Sequence, residues 1–93
     1  MTVLSGQKTI ATAGTALALG SQVINVPLMI KALDTNTGIV AVGNDDAGDV
    51  TVSNGMRLAA GDAIIMEFVG DLANIFVDSV VNGEGVAWLA LNA

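Results

Sequence analysis

The chain has no histidine, cysteine or tyrosine, a single proline, three aromatic side chains and only three cations. Each shortage excludes something. Without histidine or cysteine there is no imidazole base, no thiolate nucleophile, no disulfide and none of the softer metal ligands. The cations Lys8, Lys31 and Arg57 face nine carboxylates, giving a formal net charge of −6. A surface of that sign repels a phosphate backbone and is not drawn to anionic lipid, so neither nucleic acid nor a membrane is an expected partner. No apolar run approaches the roughly 18 residues of a membrane-spanning helix. The stretch after Lys8 imitates a secretion signal, but Thr9, Thr12 and Thr15 interrupt it, and a strand is the expected reading.

What is present is strand-forming and apolar. Hydrophobic residues make up 53% of the 93 positions and charged ones 13%, about half the usual charged fraction of roughly 25%. A domain this small has much surface to cover. With so few charges, part of that surface is expected to be hidden against other subunits. The length allows one domain.

Turn residues punctuate the chain at short intervals, and between them lie β-branched and aromatic runs. Residues 62–69, 75–81 and 86–91 read as three antiparallel strands, the last two joined by a tight turn at Asn82-Gly83, where both residues tolerate positive φ. Further upstream, Leu28, Ile30 and Ala32 alternate with Met29, Lys31 and Leu33. Residues 23–33 read as one strand that starts, bulges or lies on an edge at Pro27. Residues 39–42 are apolar on both faces, which places their strand centrally. Short strands are also expected around residues 7–13, 16–19 and 50–52. The pattern predicts an all-β fold, an antiparallel β-sandwich or jelly roll of seven to eight short strands in a single domain. Residues 1–6 are expected as a flexible arm and residues 7–93 as the sandwich.

Few positions invite a chemical role. The acidic loop Asn44-Asp45-Asp46-Ala47-Gly48-Asp49 clusters oxygen ligands that suit Ca²⁺, but Gly48 stands where a third ligand belongs, and a solvated loop is the expected reading. Trp88 invites a stacking role on sugar, yet its place between Ala87 and Leu89 in a strand suits a core or interface side chain. No cofactor, metal or catalytic residue is assigned, and the chain is not expected to be an enzyme. The interface candidates are Val3 and Leu4 in the arm, which either frays or lies on a neighbour, together with Lys8 and Arg57. Scarce cations are expected to have acidic partners within the chain or across an interface.

Three pieces carry a resemblance. They are Ile30-Lys31-Ala32-Leu33 followed by Thr37-Gly38-Ile39-Val40-Ala41-Val42-Gly43-Asn44, then Leu58-Ala59-Ala60-Gly61-Asp62, then Asp71-Leu72-Ala73-Asn74-Ile75-Phe76-Val77-Asp78 with Asn82-Gly83-Glu84-Gly85-Val86. This succession resembles the small β-sandwich structural proteins of tailed bacteriophages, most nearly the cement or decoration proteins of capsids. It covers about two thirds of the chain, from residue 30 onward. The resemblance implies a virion protein made in the host cytoplasm. It would bind the major capsid protein on the capsid exterior and act as a homo-oligomer, with a trimer expected at a local three-fold point. It transfers no catalytic residue. A phage tail or fibre module with the same sandwich is the alternative reading, and a carbohydrate-binding module a more distant one.

Overall fold

Alternation with a period of two governs the backbone of this chain. In β4 (Leu28–Ala32) buried and exposed residues alternate without a break, Leu28, Ile30 and Ala32 facing in, Met29 and Lys31 facing out. A computed structural model describes residues 2–24, 26–43, 55–67 and 70–92. Among these are ten strands rather than the seven to eight expected: β1 (Thr2–Ile10), β2 (Leu17–Ala18), β3 (Val23–Ile24), β4, β5 (Val40–Gly43), β6 (Met56–Leu58), β7 (Ala63–Met66), β8 (Gly70–Asp71), β9 (Phe76–Ser79) and β10 (Glu84–Asn92). One 3₁₀ turn, Leu72–Asn74, follows β8. The Asp71 side chain caps it by accepting from the Ala73 N–H.

The strands form two four-stranded antiparallel sheets, ordered β1-β10-β4-β7 and β2-β9-β5-β6, and a small ribbon of β3 with β8. With the two-residue β3 and β8 set aside, eight strands remain. In chain order the first sheet then runs first, eighth, third, sixth and the second sheet second, seventh, fourth, fifth. Two Greek keys wrapped together in this way make a jelly roll. The radius of gyration, 12.2 Å, is about that of a compact single domain of this length.

The topology corrects the reading of residues 62–91 as one three-stranded sheet. β7 and β10 belong to the first sheet and β9 to the second, and none of the three pairs with another. The turn at Asn82-Gly83 is present, with Gly83 at φ +82°, but it carries the chain from one sheet to the other instead of closing a hairpin. Of strands consecutive in the chain, only β5 and β6 are paired among the described residues.

A second correction concerns residues 2–6. They are the first half of β1, hydrogen-bonded along its length to β10 from Thr2 opposite Asn92 to Ile10 opposite Glu84. The long run of apolar partners on β10 gives these residues a ladder to join, so they are not a free arm. Residues 23–33 also divide: Pro27, which has no N–H to donate, separates β3 from β4. β5 is central as expected, with Val40, Ala41 and Val42 all buried. β6 had no strand signal strong enough to stand out in the sequence. The acidic loop of residues 44–49, the strand expected at residues 50–52, and Phe68 lie outside the described residues.

The core lies between the sheets. Ile10, Leu28, Ile30, Ala32, Val86 and Ala90 come from the first sheet, and Val40, Val42, Leu58 and Val77 from the second. Leu19, Ile24, Leu72 and Ile75 close one end of the same cluster. Trp88 packs on this core from the inward face of β10, and its indole lies over Gly6 on β1, where any Cβ would overlap the ring.

Candidate interaction surfaces

At one end of the sandwich the loops of residues 11–16, 33–39 and 80–83 are tied together by side chains that accept from backbone. Asn82 Oδ1 accepts from the Ala13 N–H (2.7 Å), and buried Asp78 Oδ1 accepts from Gly14 (3.0 Å) and Ser79 (2.8 Å). Asn36 is buried and answers Gly85 in both directions. Its Nδ2 donates to the Gly85 carbonyl (2.8 Å), and its Oδ1 accepts from the Gly85 N–H (3.3 Å). Glu84 reaches across to the same loop, accepting from the Thr37 N–H at 2.6 Å and the Gly38 N–H at 2.9 Å. The Thr37 N–H above all, with the Gly38 N–H and the Thr37 hydroxyl, outweighs desolvation and holds the Glu84 carboxyl below its ordinary value. No buried side-chain nitrogen or oxygen lacks a partner among the described residues. This end is a structural stitch, and its polar groups are already satisfied by the chain itself.

The outer face of the first sheet is different. The registers place Ser5, Leu89, Met29 and Ile65 in one row across β1, β10, β4 and β7. Leu89 is 44% exposed, Met29 40% and Ile65 65%. The next row is Gln7, Ala87, Lys31 and Ala63. Three large apolar side chains thus stand in cross-strand contact, turned to solvent.

The edges of that sheet are unlike one another. On β1, Lys8 lies on the inward side, the side of Leu4 and Ile10, and an inward-turned charge on an edge strand discourages a further strand. β7 reads Ala63-Ile64-Ile65-Met66, with no charge, proline or glycine. Beside it, between the edges of the two sheets, lies an open groove of about 720 Å³ lined by Val42, Met56, Ile64, Met66, Asn74 and Ile75 among others.

The residues singled out from sequence are scattered. Val3 pairs with Leu91 and Leu4 with Ala90 in β1, and Leu4 packs against the core. Lys8 is half-buried at the opposite end of β1, opposite Val86. Arg57 is exposed on β6, opposite Ala41 in the other sheet. These four form no common site. The one ion pair among the described residues is Lys31 with Asp34, 3.3 Å apart and largely exposed, a geometry worth little in stability. No group of three or more acidic, histidine or cysteine residues among the described residues is placed to hold a metal ion. Sequence reasoning saw that Met29 shares a face with Lys31 but not that it stands beside Ile65, because that depends on β4 and β7 being neighbours.

Compared with protein-family models, curated proteins and solved structures, the chain matches none of them.

Proposed function

We propose that this chain is a structural virion protein of a tailed bacteriophage, a cement or decoration protein that binds the outside of an assembled capsid and stabilises it. The observation that carries the reading is the exposed apolar row of Leu89, Met29 and Ile65 on the outer face of the first sheet. It sits on a jelly-roll domain with too few charges to cover its own surface, and the motif resemblance from residue 30 onward points the same way.

The mechanism is thermodynamic. A clamp that binds the assembled lattice and not the free subunits stabilises the lattice in proportion to its occupancy. Repetition around a local three-fold point turns weak contacts into strong avidity, which is why a homotrimer is the proposed unit and the major capsid protein the proposed partner. An acidic outer surface keeps decorated particles apart.

The test is to mix the purified protein with heads of the source phage that lack it. Co-sedimentation at a saturating ratio, with a higher temperature of head rupture, supports the proposal. Failure to bind heads, with an antibody to the chain labelling tails or fibres in virions, replaces it with the tail-module reading. Sedimentation as a monomer at every concentration tested removes the trimer.

A further inference from the structure

We infer that β7 is a pairing edge for a second copy of this chain, joined about a two-fold axis at Ile65 so that the first sheet continues from one protomer into the next. The inference goes beyond the capsid reading and stands without it. A two-fold contact cannot close a three-fold ring, so in the proposed assembly it would link one trimer to the next.

The backbone is prepared for it. Ala32 donates to the Asp62 carbonyl at 2.9 Å, which fixes the phase of the ladder between β4 and β7. The pairs Ile30–Ile64 and Leu28–Met66 then exchange hydrogen bonds, while the N–H and C=O groups of Ala63 and Ile65 point away from β4. Among the described residues no strand pairs with that outer edge. The other three edges of the four-stranded sheets are less suited: β1 turns Lys8 inward, β2 has two residues, and β6 has three with Arg57 in the middle.

The side chains choose both the partner and the register. A two-fold normal to the sheet keeps each face on its own side, so it must pass through a residue and not between two. Centred on Ile65, it sets Ile65 against Ile65 of the second copy, and the exposed row becomes Leu89-Met29-Ile65-Ile65-Met29-Leu89. The same register sets Glu67 of the second copy beside Ala63, in the row where Lys31 comes next. Two strand spacings, roughly 10 Å, separate the Lys31 and Glu67 Cβ positions, so Lys31, which pairs with Asp34 at 3.3 Å in its own chain, can also reach toward that glutamate across a small alanine. Symmetry repeats this ion pair. On the inner side Ile64 meets Met66 of the second copy and closes the mouth of the groove. Centring on Ile64 instead sets Ile65 against Ala63 and brings no carboxylate to Lys31, so the charges favour the first register.

The absence of cysteine makes a clean test, because any introduced thiol is the only one. Ile65→Cys lies on the axis, where antiparallel partners stand about 5.5 Å apart in Cα, within disulfide range. Leu89→Cys is on the same face but about 24 Å from its symmetry mate. Under mild oxidation Ile65→Cys is expected to run as a covalent dimer and Leu89→Cys as a monomer. In sedimentation, Lys31→Glu or Glu67→Lys should each weaken association about five-fold, and the double variant should recover it. The inference is overturned if Ile65→Cys stays monomeric, if Leu89→Cys cross-links as readily, or if the double variant associates no better than the singles. Because none of these measurements involves heads, their failure leaves the capsid proposal standing, and failure to bind heads leaves this one.

Discussion

At the scale of single residues, the stitched end of the sandwich is where small changes should matter most. Asn36→Ala leaves the buried Gly85 N–H without its acceptor, while the Gly85 carbonyl keeps its bond from Leu33. The expected loss is about 1–3 kcal/mol in chemical denaturation. Asn36→Asp should be worse than its size suggests, since an oxygen would replace the donor that faces the Gly85 carbonyl. Gly85→Ala should destabilise by more than about 2 kcal/mol, because its Cβ would meet the backbone of Lys8 and Thr9 across the sheet. Glu84 makes the same end sensitive to acid. Its carboxyl is held below the ordinary value in the folded chain, so its contribution is full above the unfolded pKa, about 4.3, and is lost as pH falls through the folded value. Glu84→Gln should therefore lower the melting temperature at pH 7 and flatten its decline between pH 5 and pH 3.

At the scale of elements, β1 offers the sharpest contrast between expectation and outcome. Removing residues 2–6 takes away half of a paired strand, the core contact of Leu4 and the glycine under Trp88. The melting temperature should drop by about 10 °C or more, corresponding to roughly 2 kcal/mol; a free arm would leave it unchanged. Which residues share a face was legible in the sequence: the alternation at residues 28–32 holds in the structure residue for residue. Partnership between strands was not. A local signal such as Asn82-Gly83 announces that the chain reverses, yet a reversal serves equally to close a hairpin or to cross between layers, and only distant strands decide between the two. The exposed row was hidden for the same reason, since Leu89, Met29 and Ile65 are far apart in sequence and meet through pairings that skip the chain order. β6 was missed because Met56-Arg57-Leu58 is too short to show a period.

At the scale of the whole molecule, charge and apolar surface oppose each other. A net charge of −6 repels a second copy, and at an ionic strength of 0.1 M the screening length is only about 10 Å. Self-association should therefore strengthen between 0.02 and 0.2 M salt, as general repulsion is screened while the apolar row is not. Sedimentation equilibrium across that range checks it, and association that weakens steadily with salt would mean that attraction between charges dominates. The pairing of β1 with β10 carries a different consequence. Thr2 stands opposite Asn92, so the chain enters β1 and leaves β10 at one corner of the sandwich. A passenger fused before Thr2 and a passenger fused after Asn92 would be presented side by side at the same spot.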